Sequence, residues 1–160
     1  MGAALKLVRD REAALGRSGT DMRPRFHEDF IRDGNCGYGR KAGVRAFFDG
    51  WQALFRAAFA ERRYQTDRWL EDANWVACFG ACHARHAGRF MGVVPTGKAL
   101  RIPYIDFWQN RDGRIAYNKV NVDFADVLAQ LGVDVFGGEG WELFDRGGRP
   151  SSRPDNEEMT

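Results

Sequence analysis

Most of the side chains that could do chemistry lie between residues 75 and 122, in three groups. The first group, Cys78, Cys82, His83 and His86, supplies sulfur and imidazole. A zinc ion needs such donors within about 2.0–2.3 Å of one point. In an extended chain rising about 3.3 Å per residue, Cys78, Cys82 and His86 stand ~13 Å apart in succession. No metal is expected there. The second group, Gly92-x-x-x-x-Gly97-Lys98, has the outline of a phosphate loop. Ala99 replaces the required hydroxyl, Pro95 removes a backbone N–H, and a strand pattern follows where a helix should begin. A reversal between strands fits better, with Pro95 opening the turn and Gly97 at positive φ.

The third group lies in ALRIPYIDFWQ, residues 99–109. Alternation puts Ile102, Tyr104, Asp106 and Trp108 on one strand face. A carboxylate between two aromatics either faces water on a convex surface or sits in a cavity with a raised pKa, as a general acid or base does. His86 shares a strand face with Gly80, Cys82 and Ala84, small residues that leave room for a ligand; a purely structural histidine fits the same pattern. In RIAYNKVNV, Asn118, Val120 and Val122 share one face, and Tyr117, Lys119 and Asn121 the other.

These strands need a scaffold. Residues 3–16 read as an amphipathic helix stopped by Gly16, and RPRFHEDFI carries Phe26, Phe30 and Ile31 at helical spacing. DGNCGYG reads as a loop. Residues 40–60 have the clearest helical period, through Val44, Phe47, Phe48, Trp51, Leu54, Phe55 and Ala58, with a possible kink at Gly50. Strand runs follow, and N-R-D-G between two of them marks a hairpin. Residues 123–131 read as a short helix with Asp123 as N-cap and Gly132 as stop. Helices first and antiparallel strands after predict an α+β fold: a curved sheet wrapped around the N-terminal helices, leaving a cone-shaped cavity. One domain over residues 1–145 with a disordered tail at 146–160 is expected.

With 24 basic and 22 acidic side chains and a net charge of +2, nothing favours nucleic acid or an anionic membrane. No apolar run approaches the ~20 residues of a bilayer span, and the N-terminus does not resemble a signal peptide. Cys36, Cys78 and Cys82 make an odd count with no disulfide-framework spacing, as in a cytoplasmic protein with reduced thiols.

Several motifs together resemble the SnoaL-like polyketide cyclases, or ester cyclases. They are R-F-H-E-D-F-I, G-R-K-A-G-V-R-A-F-F, R-H-A-G-R-F-M-G-V-V-P-T-G-K, R-D-G-R-I, D-F-A-D-V-L-A-Q-L-G and E-G-W-E, within roughly residues 20–145. The resemblance implies the nuclear transport factor 2-like fold around an apolar pocket, pairing of protomers, and ring closure of a polyketide by intramolecular aldol condensation without metal or organic cofactor. It also implies a catalytic histidine and an acid on successive strands. By spacing from R-D-G-R-I, the histidine position falls on Asp106 and the acid position on Val120, or on Asn121 if the alignment slips by one. The sequence therefore departs from the family's pair, and Asp106 is the candidate base, with His86 and Tyr104 assisting. Trp51, Phe55, Trp108, Asn118 and Val120 are the candidate substrate contacts. The expected partners are a small apolar ligand and a second copy of the chain. The alternative reading is a binding or dimerisation module that keeps the fold and lacks the chemistry.

Overall fold

The computed structural model describes residues 2–15, 21–133 and 136. The stop at Gly16, the E-G-W-E motif and the expected tail at 146–160 lie outside the described residues. Helix α1 (Ala3–Leu15) comes first, then strands β1 (Phe26–Gly34) and β2 (Arg40–Ala42). A wide π-helical stretch, Ala46–Gln52, runs directly into α2 (Ala53–Ala58). Then come β3 (Phe59–Asp72), β4 (Trp75–His86), β5 (Ala99–Arg111), β6 (Arg114–Val122) and α3 (Phe124–Gln130). The strands form one six-stranded sheet in the order β2-β1-β6-β5-β4-β3. Only the β1–β6 pair is parallel.

RPRFHEDFI does not form a helix: Phe26–Gly34 is a strand. A spacing of four satisfies period 2 as well as period 3.6, so Phe26 and Phe30 share the buried strand face while Ile31 turns to the other. The long helix expected over 40–60 starts later, because Arg40–Ala42 pairs with β1. Gly50 sits inside the π-helical stretch. The hairpin at N-R-D-G closes on Asp112 and Gly113, both at positive φ, with Arg111 opposite Arg114. Asp123 caps α3 by accepting the Asp126 N–H at 2.9 Å, and Gly132 at φ 91° ends it.

Curvature comes from irregular pairing in the long strands. Register shifts between Ala60 and Arg63 and between Thr66 and Arg68 bend β3 over β4. At the second bend a Cβ on Gly80 would stand 2.2 Å from the Gln65 carbonyl oxygen and 2.8 Å from the Thr66 Cα, so only glycine allows that approach. The concave face is closed by α1 and by the aromatic ladder of residues 47–59. In that ladder Trp51 stacks on Phe55 with centroids 5.0 Å apart, and Phe55 packs on Phe59 at 4.9 Å. No helix among the described residues is long and apolar enough to cross a membrane.

Candidate active site

Between the sheet and these helices lies a narrow pocket, a cavity of about 50 Å³ that opens to the surface. Its wall is mostly carbon: Val8 from α1, Phe47, Trp51 and Phe55 from the aromatic helix, Trp69 from β3, Ile102 and Trp108 from β5, and Val120 and Val122 from β6. Into this wall β5 projects Tyr104 and Asp106, β1 projects Arg32, and α1 projects Arg11 and Glu12. Arg56 and Arg62 also line it.

Asp106 is 7% exposed and faces inward, between Tyr104 and Trp108 on the same strand face. Its cross-strand partners are Cys78 on β4 and Val120 on β6. Asn118, opposite Trp108, is the diagonal neighbour on the same face, and its Nδ2 donates to Asp106 Oδ1 at 2.7 Å. Asn118 is fully buried and also donates to the Phe107 carbonyl at 3.2 Å, so its orientation is fixed. Burial pushes the Asp106 carboxyl above the ordinary carboxylate range, outweighing the opposing pull of Arg32, the Asn118 hydrogen bond and Arg11. The result is a buried carboxyl group in a mostly apolar wall, of higher proton affinity than usual and held by one oriented donor.

Two buried cations share this region. Arg32 lies in register with Asn118 across the β1–β6 pair and is 5% exposed. Its guanidinium lies over the rings of Phe47 at 4.7 Å and Tyr38 at 4.9 Å. The Arg11 guanidinium lies over Trp108 at 4.0 Å, and burial followed by the charge of Arg32 lowers its pKa. Beside them runs a hydroxyl chain. The Tyr104 hydroxyl meets Thr66 Oγ1 at 2.7 Å, and Thr66 donates to Glu12 Oε2 at 2.5 Å. Burial raises both the Tyr104 phenol and the Glu12 carboxyl, so Tyr104 stays protonated across the ordinary pH range.

Of the residues singled out from the sequence, Trp51, Phe55, Tyr104, Asp106, Trp108 and Val120 all line this pocket. Asn118 stands behind Asp106 rather than on the wall. His86 is elsewhere. Cys78 is the β4 residue opposite Asp106, and His86 is eight positions further along, roughly 26 Å at strand rise. There its Nδ1 accepts the Thr96 N–H at 3.2 Å and lies 3.1 Å from Thr96 Oγ1, while its backbone bonds to Lys98 and Gly97. It organises the loop of residues 87–98, which also contains a tight reversal at Met91 and Gly92 not read from the sequence. Among the described residues no group of three or more His, Cys, Asp or Glu side chains is placed to hold a metal.

Sequence reasoning missed Arg11, Arg32, Glu12 and Thr66. The pattern for both arginines was present. Once Phe26 and Phe30 are assigned to the inner face of a strand, period 2 places Arg32 there too. In α1, Val8, Arg11 and Ala14 follow one another at three-residue steps and all three are buried.

A sequence model of the family described as SnoaL-like polyketide cyclase matches residues 11–131. The nogalonic acid methyl ester cyclase of Streptomyces nogalater is 30% identical over 124 residues, covering 76% of this chain and 90% of that protein. Among solved structures, IdmH from Streptomyces antibioticus, described as a candidate polyketide cyclase, is similar with a TM-score of 0.69 at 23% identity. That match covers 81% of this chain and 99% of IdmH. A Catenulispora acidiphila protein of ketosteroid isomerase-like fold, in complex with trimethylamine, matches with a TM-score of 0.66 at 16% identity, over 80% of this chain and 93% of its own.

Proposed function

The chain belongs to the SnoaL-like polyketide cyclase family, and from that premise we propose that it is an acid/base enzyme. It acts without a cofactor on an apolar, carbonyl-rich small molecule, and Asp106 is its base. The observation that carries this reading is a carboxyl group of raised proton affinity buried in the wall of an aromatic pocket. Such a group takes a proton from a carbon flanked by carbonyls more readily than an ordinary surface carboxylate, because its affinity lies nearer the working pH. The enolate that results attacks a second carbonyl of the same molecule, forming one carbon–carbon bond and an alkoxide. The proton held by Asp106 then returns to that oxygen. The Tyr104 phenol, kept protonated, donates to Thr66 Oγ1 in the free protein and turns that one proton to a substrate carbonyl oxygen on binding. Trp51, Phe55, Trp108 and Val120 shape the substrate's path, and Asn118 positions Asp106.

His86 is given no part in this mechanism: it lies eight residues along β4 from Cys78, the residue opposite Asp106, and its Nδ1 is engaged by Thr96. The name of the Streptomyces nogalater relative supports ring closure of a polyketide as the reaction class. Replacing Asp106 with Asn in a cyclisation assay on a linear aromatic polyketide should abolish turnover and leave binding intact. Unchanged turnover ends the assignment and favours a module that binds without reacting.

We place the protein in the cytoplasm as a homodimer. Cys36, Cys78 and Cys82 are free thiols, as a reducing compartment favours. On the outer sheet face Phe79 (47% exposed) pairs across β4–β5 with Ile105 (51%), and Phe107 (47%) follows on the same side. Apolar side chains gathered this way on an exposed sheet suit an interface between copies.

A further inference from the structure

The pocket's charge does not suit a neutral ligand. Four arginines line it, Arg11, Arg32, Arg56 and Arg62, against two carboxyls, Glu12 and Asp106. The two deepest cations are not neutralised by direct pairing. Asp106 hydrogen-bonds to Asn118, and among the described residues no nitrogen of Arg11 or Arg32 lies within 4.0 Å of a carboxylate oxygen. Both guanidiniums lie on aromatic faces, which leaves their in-plane N–H groups to find other acceptors. For Arg32, Nε and Nη1 are buried without an acceptor in good hydrogen-bond geometry, and the neighbouring Tyr38 hydroxyl offers only a neutral one. Buried donors without acceptors, and two like charges close enough to oppose each other, are costly unless an anion completes the site.

We infer that the ligand of this pocket carries a free carboxylate, and that Arg11 and Arg32 receive it. The inference rests on the proposed function in taking this pocket as the ligand site, and it adds the substrate class: an aromatic or polyketone acid rather than its ester. An ester carbonyl accepts a hydrogen bond but brings no charge between the two guanidiniums. A site built around a charged group rejects the analogue that lacks it, because its own buried groups are left unpaired. The selectivity therefore differs from that expressed in the name of the Streptomyces nogalater relative, a methyl ester cyclase.

The test is a matched pair of probes, anthraquinone-2-carboxylate and its methyl ester, titrated against the intact protein by quenching of tryptophan fluorescence. Trp51, Trp69 and Trp108 line the pocket and report occupancy. The acid should bind the wild type at least about tenfold more tightly than the ester, the change expected from one charge-assisted contact. Arg32→Gln and Arg11→Gln should each weaken the acid about tenfold and leave the ester unchanged, with circular dichroism establishing that each variant is folded. An ester that binds the wild type as tightly as the acid overturns the inference while leaving the pocket a ligand site, and this comparison needs no variant. A preference for the acid that survives in both folded variants overturns the assignment to these arginines. Failure of both probes to bind overturns the pocket reading along with it.

Discussion

Asn118 offers a quantitative handle on the ionised state of Asp106. Its Nδ2 donates at 2.7 Å to Asp106 Oδ1, and it is fully buried, so Asn118→Ala removes a defined bond that water cannot readily replace. A hydrogen bond to a charged acceptor contributes about 1.5–3 kcal/mol, and one to a neutral acceptor about 0.5–1.5 kcal/mol. The Asp106 carboxyl is raised in the folded chain. The stability linked to it is therefore fully present below the ordinary carboxylate pKa and is lost as pH rises through the folded value. Asn118 favours the ionised form and moderates that loss. The variant should thus be destabilised at both ends of the pH range, and by roughly 1 kcal/mol more at pH 8 than at the acidic edge of the stable range. The cavity left by truncation costs the same at both pH values and cancels. With a urea slope of about 1–3 kcal/mol per molar, the excess appears as roughly 0.3–1 M in midpoint. Equal destabilisation at both pH values, or an unchanged midpoint at pH 8, would show that Asn118 does not stabilise a carboxylate there.

Gly80→Ala should cost roughly 1–3 kcal/mol in urea denaturation, because the new methyl meets the backbone of β3 at Gln65 and Thr66 rather than a movable side chain. A variant as stable as the wild type would mean that the bend over Gly80 is misplaced. On the outer sheet face, the proposed dimer predicts that the wild type sediments as a dimer and Ile105→Glu as a monomer, with probe binding in the pocket unchanged. Persistence of the dimer would move the interface elsewhere.

How much of this was legible before the fold was known depended on local period. The β5 alternation placed Asp106 between Tyr104 and Trp108 on one strand face, leaving open whether that face met water or a cavity, and the Asp112–Gly113 turn aligned β5 with β6. The Asp123 cap and Gly132 stop of α3 were also readable, because capping and positive φ are local demands. What failed depended on long-range partners. Phe26 and Phe30 satisfy both periods, and pairing with β6 and β2 makes β1 a strand. His86 sits on an inner strand face as its spacing suggested, but distance along β4, not face, separates it from Asp106. Arg11 and Arg32 lie at apolar-face positions that a reading by hydrophobicity alone skips. Their charges become tolerable only once the rings of Trp108, Phe47 and Tyr38 are brought beneath them.

Proton exchange at the carbon between two carbonyls isolates the step assigned to Asp106 from ring closure and product release. A β-keto ester bearing an aryl carboxylate, incubated with the protein in deuterium oxide and followed by NMR, should exchange its α-proton faster with wild type than in buffer alone. With Asp106→Asn the exchange should return to the buffer rate, although the compound still quenches tryptophan fluorescence. Exchange that continues at the wild-type rate in the Asn variant would contradict the account, because a base other than Asp106 would then be removing the proton.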